Sequence, residues 1–574
     1  MKNKKEVYIM KKTLCIITCC FVAQLATAQA PKWAEKARKA VFSIVTYDKE
    51  NKIKGTGNGF YIDMQGTALS DYSLFENVRR AVIINADGKQ LEVSTINGAN
   101  SMYDIIKFRT PADKKQVALT LASQPAKVNE TVYLLPYSTQ KATTIQTGRV
   151  TAVDSIGNNS FYYTLEMKTG EKVVSCPIMN ANGEVLGLIQ KNASDESTES
   201  YAIGAGYGAA LEISALSMND GTLNSIGIKK SLPDTEEQAL VTLFMASGQM
   251  EADSYLTLLN DFLSQYPDSH DGYVRRATHY MSGDKAELYP LAEADLKKAV
   301  EVADDKAEAH YAVAKVIYSY LISLNGKEPY SAWSYDKALE SLRSAIRNNP
   351  QPVYLQLEGD ILFAQGNYAE AFNSYDKVNH TEIASAATYY SAAKAKQLTE
   401  GSDINEVVAL MDSAIAHLNK PYGQDAAAYF YERAETYATA GKFRNAVIDY
   451  NTFHDAMLGN VNALFYYRRE QSEMQCRMYQ QALDDINRAV EMAPEDVDFR
   501  LEKGAVHLRI NQFAEAETAL QEATRLDARN AAAYRLLGYA QILQKKNKEG
   551  RANFFKAKEL GDEPVNKLIE KYCK

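Results

Sequence analysis

YQQALDDINRAVEM at 479–492, FAEAETALQEATRL at 513–526 and NKEGRANFFKAKEL at 547–560 are three versions of one phrase. Ala482, Ala516 and Gly550 share a place in it; so do Ile486, Leu520 and Phe554, and then Ala489, Ala523 and Ala557. Successive copies are 34 residues apart. Within each copy the offsets are four and three, which put the three positions on one face of a helix. The small residues let a neighbouring helix approach, and the large one fills the gap between them. A second, earlier helix in each unit carries Gly504 or Gly538 at a close crossing, and Pro494 stops one copy where a turn is needed. The spacing predicts stacked helical hairpins.

Other copies extend upstream. Ala434, Ala446 and Tyr450 mark one, Gly359, Ala371 and Tyr375 another. Ala338, Leu342, Ala345 and Pro350 close a third, whose hairpin carries extra residues around Asn325 to Ser331. Tyr273, Ala277, Ala292, Leu296 and Ala299 mark a fourth; a weaker unit runs from about Ala387 to Leu418, and a first pair from about Glu236 to Tyr266. Glu563 to Cys573 reads as a cap over the last apolar face. The pattern resembles the tetratricopeptide repeat, a helix-turn-helix of 34 residues. The resemblance implies an all-α solenoid over 230–574 whose concave surface grips a peptide or protein. Carrying the family's groove positions over gives Tyr431, Glu435, Tyr467, Gln471, Met474, Leu501, Leu508, Arg535 and Tyr539.

Residues 31–229 read differently. After a helix-like lead at Trp33 to Ala40 come short β-rich runs: Val41 to Tyr47, Gly59 to Asp63, Arg80 to Ile84, Leu91 to Ile96, Val117 to Leu121, Thr131 to Leu135, Gly148 to Asp154, Phe161 to Leu165, Val185 to Gln190 and Tyr201 to Ile203. Gly, Asn and Asp turns separate them, as in an antiparallel barrel or sandwich. Four motifs narrow the choice. Gly55-Thr56-Gly57-Asn58-Gly59-Phe60-Tyr61-Ile62-Asp63 with Gly66-Thr67-Ala68-Leu69-Ser70, then Ser101 to Lys107, then Pro177 to Gly187, then Tyr201-Ala202-Ile203 resemble, in order, motifs of trypsin-like serine proteases of the HtrA type. The resemblance implies an all-β double barrel with a groove for an extended peptide.

The departures fall on the chemistry. No histidine precedes His270. The motif alignment places Ser73 where the catalytic base belongs, or Tyr72 with a slip of one. Val174 takes the nucleophile's place, Lys172 that of an oxyanion-hole glycine, and Ser175 and Cys176 those of the two following glycines. Only Asp104 remains of the implied triad, and its role there is to orient the missing imidazole. Losing nucleophile or base costs on the order of a millionfold in turnover. The expectation is a barrel without a catalytic residue, its degenerate triad positions being Ser73, Asp104 and Val174. It either captures peptide without cutting it or only carries the solenoid. The alternative is an endopeptidase with a rearranged site on Ser175 or Cys176, in which Lys172 could serve Ser175 as base. A third reading is a structural subunit in which only the solenoid matters.

The bulk numbers agree with a two-part protein. At 574 residues the chain exceeds one core, and 46% apolar with 24% charged residues is ordinary for globular domains. The net charge of −8, without a long basic run past the N-terminus, excludes nucleic acid as a natural partner. Lys11 and Lys12, the apolar run Thr13 to Ala23 and Ala26-Thr27-Ala28 form an export signal over 1–28, with Met1 or Met10 as the start. The expected destination is the periplasm or cell surface, with no transmembrane helix in the mature chain. The three cysteines left, Cys176, Cys476 and Cys573, make no disulfide framework. The seven histidines, all at or after His270, have no metal-ligand spacing, so neither metal nor cofactor is expected.

Overall fold

A computed structural model of the chain describes residues 31–573, apart from 141–144, 158, 193, 195, 196 and 284. The export signal expected at 1–28 lies outside the described residues. The chain divides into two compact units between Arg276 and Ala277.

In the first unit a short helix α1 (Ala34–Ala37) leads into β1 (Val41–Tyr47), β2 (Ile53–Tyr61), β3 (Thr67–Ser70), β4 (Arg80–Ile84), β5 (Gln90–Glu92), β6 (Thr95–Asn100) and β7 (Ile105–Arg109). These form one antiparallel sheet in the order β5-β4-β1-β2-β3-β7-β6. Its edge strands β5 and β6 are consecutive in the chain. Val93 donates its N–H to Ala81 of β4 (2.9 Å), and Ser94 donates to Arg109 of β7 (2.8 Å). Two neighbouring residues thus bond to opposite ends of the sheet, which curls it into a barrel around Phe42, Ile44, Phe75, Ile83, Ile96 and Phe108.

A second barrel is closed: β8 (Thr131–Leu134), β9 (Gln146–Ser155), β10 (Phe161–Glu166), β11 (Pro177–Met179), β12 (Val185–Ile189) and β13 (Glu199–Gly204) run in the order β10-β13-β12-β11-β8-β9. Its core holds Val132, Leu134, Leu165, Ile178, Ile189 and Ala202. A third apolar cluster joins strands of both barrels, with Val41, Phe60, Leu69, Ile105, Met179, Leu188 and Ile203. Gly183 lies in the turn between β11 and β12 at a φ of +81°, and a Cβ there would sit 2.6 Å from the Trp33 ring. This is the two-barrel arrangement that the resemblance implies.

Two expectations are corrected. Val117 to Leu121 is no strand; Leu119 donates to Tyr61 of the first sheet (2.9 Å), while Val185 of the second barrel donates to Thr120 (2.8 Å). A segment bonded to two different sheets ladders with neither, and it straps the barrels together. The run Leu91 to Ile96 is two strands, broken where the sheet curls at Val93.

The Gly-rich and Asn-rich stretch after β13 is ordered. It forms α2 (Ala205–Ala209), a 3-10 turn over Ala215–Asn219 and α3 (Gly221–Asn224). Ile213, Leu223, Ile226 and Ile228 from this stretch belong to the first barrel's core. Ile96 donates to Lys229 and accepts from Ser231, which fixes the end of the segment on β6. The first unit continues through α4 (Glu236–Ser247) and α5 (Ala252–Gln265), which share a core of Ala239, Leu243, Leu259 and Phe262. The division between units falls inside α6 (His270–Met281).

The second unit is all helical: α7 (Tyr289–Val302), α8 (Lys306–Ser323), α9 (Tyr335–Asn348), α10 (Pro352–Ala364), α11 (Tyr368–Asn379), α12 (Ala386–Leu398), α13 (Ile404–Ala416), α14 (Gln424–Thr439), α15 (Phe443–Ala456), α16 (Ala463–Gln475), α17 (Tyr479–Met492), α18 (Val497–Arg509), α19 (Phe513–Leu526), α20 (Ala531–Leu543), α21 (Asn547–Glu559) and α22 (Val565–Tyr572). From α8 onward consecutive helices pack as hairpins, α8 on α9 through α20 on α21. Asp305, Ser334, Asp403, Asn462, Asp496 and Asn530 each cap the N-terminus of the helix that follows, so the turns are specified locally.

All nine matched positions are buried: Ala482, Ile486, Ala489, Ala516, Leu520, Ala523, Phe554 and Ala557 are 0% exposed, and Gly550 is buried with them. A Cβ on Gly504 would lie 2.4 Å from Leu520, and one on Gly538 would lie 2.7 Å from Phe554. The glycines are there for close approach. Two hairpins are also tied by the same ion pair: Arg433 grips Asp449, and Arg469 grips Asp485, each by two bonds of 2.7 and 2.8 Å. Helix α22 covers the last apolar face, its Val565, Leu568 and Ile569 packing with Phe554 and Ala557.

Candidate functional site

Of the three positions matched to the triad, Ser73 and Asp104 meet. Asp104, at φ +46° ahead of β7, accepts the Ser73 N–H at 2.7 Å and lies 3.1 Å from the Ser73 hydroxyl. The structure therefore puts the side chain of Ser73, and not that of Tyr72, beside the aspartate; the Tyr72 hydroxyl is engaged with Ser225 at 2.8 Å. Ser73 is also 3.2 Å from Asp71, so a single hydroxyl sits between two carboxylates. It has one hydrogen and can donate to one of them at a time. Burial pushes the Asp104 carboxyl above its ordinary range; the Ser73 N–H pulls it back and the Asp71 charge adds to the rise.

Across the cleft the loop between β10 and β11 is wound into a 3-10 turn at Glu171–Val173. Val173, Val174, Ser175 and Cys176 donate their N–H groups to the carbonyls of Gly170, Glu171, Ile189 and Val173 at 2.7 to 3.3 Å. An oxyanion hole needs N–H groups aimed at the substrate's carbonyl oxygen. Three of these are spent on the loop itself and the fourth, from Ser175, on β12.

Ser175 stands at φ +63°, a left-handed conformation that strains a residue carrying a Cβ. Its side chain is fully buried and its hydroxyl donates to Asp71 at 2.6 Å. Asn58 of β2 makes a second crossing, donating to the carbonyls of Lys172 and Val174 at 3.0 Å each. Ser70 completes the cluster, 2.7 Å from the Asn58 carbonyl and 3.2 Å from Asp71. Two hydrogen-bonded ties thus join the barrels across this cleft.

The rearranged-site residues fare differently. Cys176 is fully buried, and burial pushes its thiol up to about 12. Near neutral pH it is a protonated core side chain and no nucleophile. Val174 is half-buried at the end of the 3-10 turn, and Lys172 is exposed. Asp71 and Asn58 are the two residues that the sequence reading missed as members of the site. Their signal was a carboxylate two residues before the base position and an amide inside the glycine-rich first hairpin.

In the solenoid, Glu435, Gln471 and Met474 line one concavity of about 540 Å³, together with Arg468, Glu502 and Arg509. Glu435 also accepts a hydrogen bond from the Tyr450 hydroxyl. The other six candidates are engaged in packing or pairing. Tyr431 packs on Phe453 and Tyr467 on Phe499, with ring centroids 5.1 Å apart in each case. Leu501 and Leu508 pack on the core of Ala516, Leu520, Leu537 and Ala540. Arg535 pairs with Asp562 at 3.0 Å, and Tyr539 lies beside Tyr572. Among the described residues no group of three or more His, Cys, Asp or Glu could hold a metal ion. Nor is any described helix long and apolar enough to cross a membrane.

The geometry defines a trypsin-like double barrel followed by an α-helical repeat array. The family model for the tetratricopeptide repeat matches residues 332–387 and 506–561, so the chain carries tetratricopeptide repeats. Among solved structures, the active form of the Rv3671c protease from M. tuberculosis is 20% identical over 34% of this chain and 83% of its own, with a TM-score of 0.27. The serine endoprotease from Yersinia pestis is 16% identical over 31% of this chain and 62% of its own, also at 0.27. A search of the curated proteins finds no relative.

Proposed function

We propose that this protein is an exported, non-catalytic scaffold that holds other polypeptides through its repeat solenoid. The observation that carries the reading is Ser73 in the seat of the catalytic base, hydrogen-bonded to Asp104. A serine cannot take a proton from another hydroxyl near neutral pH, and the N–H groups across the cleft are already bonded. The barrels serve as a rigid support, or they hold an extended peptide without cutting it. Tetratricopeptide repeats support protein interaction, and the concavity at Glu435, Gln471 and Met474 is where a partner segment docks. Export rests on the N-terminal sequence.

One contact favours the enzyme reading: the 2.6 Å bond from Ser175 to Asp71 is a hydroxyl facing a carboxylate. Against it, Ser175 is 0% exposed, so a substrate carbonyl has no path to its oxygen.

The test is capture from the protein's own cells with the tagged mature chain, compared with a Glu435→Ala, Gln471→Ala, Met474→Ala triple variant. A partner held by the wild type and lost by the variant supports the reading. Equal capture by both removes the concavity from it.

A further inference from the structure

Twelve residues before Ala482, Ala516, Gly550 and Ala371 stand Glu470, Gly504, Gly538 and Gly359, and the same offset before Ala446 gives Ala434. This is the close-crossing position of the first helix, and at Gly504 and Gly538 even a Cβ would collide. In α16 a glutamate occupies it. Glu470 is 0% exposed, and neither of its carboxyl oxygens has a hydrogen-bond partner. Glu473, one turn on, is 3% exposed with one oxygen also unpartnered.

The charges around Glu470 come from three helices. Glu502 of α18, Glu473 of its own helix and Asp485 of α17 all act on it, in that order, and all are negative. The nearby cation, Arg469, is committed to Asp485 by two bonds. A buried carboxylate with no cation and no donor is unstable, and such a group stays protonated instead.

We propose that the junction of α16, α17 and α18 is a proton-dependent joint, closed while the Glu470 carboxyl is uncharged and loosened when it ionises. Burial first, and then the Glu502 charge, push Glu470 up to about 9; burial and Asp485 push Glu473 up to about 8. Once the joint opens to water, each returns to the ordinary carboxyl range of about 4.3. Between those values the closed form holds a proton that the open form releases. Closure is therefore full below the open-state value, weakens as pH rises, and reaches its floor above the closed-state value. Glu502 lines the concavity with Glu435, Gln471 and Met474, so loosening the joint alters that wall. The joint itself does not depend on the function proposed above.

The experiment is hydrogen exchange of the mature full-length chain at several pH values, corrected for intrinsic exchange and read in 463–475 and 497–509. For release of one proton per opening, the opening constant rises about tenfold per pH unit between roughly pH 6 and 8. Glu470→Gln removes the titration and keeps the size; Glu470→Ala restores the small residue of the neighbouring hairpins. The proposal expects the slope of log opening against pH to fall by about one in both variants. It is overturned if either variant folds and keeps the wild-type slope, or if the wild type shows no slope.

Discussion

Ser175 donates its hydroxyl hydrogen to Asp71 across 2.6 Å, from one barrel to the other, with the serine fully buried. Asp71 lies two residues before Ser73, and Ser175 two residues before Pro177 of β11. The bond therefore joins the loop that carries Ser73 to the loop that leads into β11.

Ser175→Ala should destabilise the first unit by about 1–3 kcal/mol, because a buried hydrogen bond to a carboxylate is lost. Ser175→Gly loses the same bond but relaxes the φ of +63°. Glycine gains roughly 1 kcal/mol over alanine in that conformation. Urea unfolding should therefore rank wild type above Gly, and Gly above Ala.

Asn58→Asp should cost more than Asn58→Ala. The amide donates to two carbonyls at 3.0 Å, and a carboxylate there would face both of them without a hydrogen to give. The difference should be at least about 1 kcal/mol at pH 7 and shrink at low pH, where a protonated Asp can donate one bond. Unfolding at pH 7 and pH 4 measures it.

Much of this was legible in the sequence, and the reasons differ by element. The 34-residue spacing of Ala482, Ala516 and Gly550 forced the helical hairpins, since Ala482 and Ala516 are fully buried and a Cβ on Gly550 would lie 2.8 Å from the Gly538 carbonyl. The β1 and β4 runs were readable from local chemistry alone. Val117 to Leu121 misled because its apolar, β-rich residues look like a strand, while its bonding partners lie on two sheets. The absence of histidine before His270 was plain. What replaced it was hidden, because the Asp71 to Ser175 tie spans 104 residues and depends on how two loops meet. Eight of the nine groove candidates pack or pair within the solenoid, Met474 and Glu435 among them, since helical periodicity gives a face but not what the next hairpin lays over it.

Gly504→Ala should cost about 1–3 kcal/mol, the usual toll of overpacking, because Leu520 lies 2.4 Å from the new methyl position. Gly248→Ala is the control: nothing lies within 4 Å of its Cβ position, and the change should be neutral or slightly stabilising. Thermal unfolding of both variants tests the role assigned to the small residues.

Cys176 should resist alkylation at pH 9 in a Cys476→Ser, Cys573→Ser background and react once the chain is unfolded. Its thiol, held near 12 by burial, stays protonated when folded, whereas an unfolded cysteine ionises at about 8.5. The same difference makes this group's contribution to stability full below about pH 8.5 and lost as pH rises toward 12. Fast labelling of the folded protein would show that the thiol is neither buried nor neutral.

Arg433→Met should destabilise the solenoid by about 3–5 kcal/mol, since it strands Asp449, which is 3% exposed, without its bidentate partner. Adding Asp449→Leu should recover most of the loss. Urea unfolding of the single and double variants provides the comparison.

The most direct test of the barrel's chemistry is turnover of a mixed peptide library by the purified mature chain, read by mass spectrometry beside a fluorophosphonate probe. The account predicts no cleavage above that of a Ser175→Ala control and no labelled serine. Cleavage that disappears in that control, with label on Ser175, would contradict it.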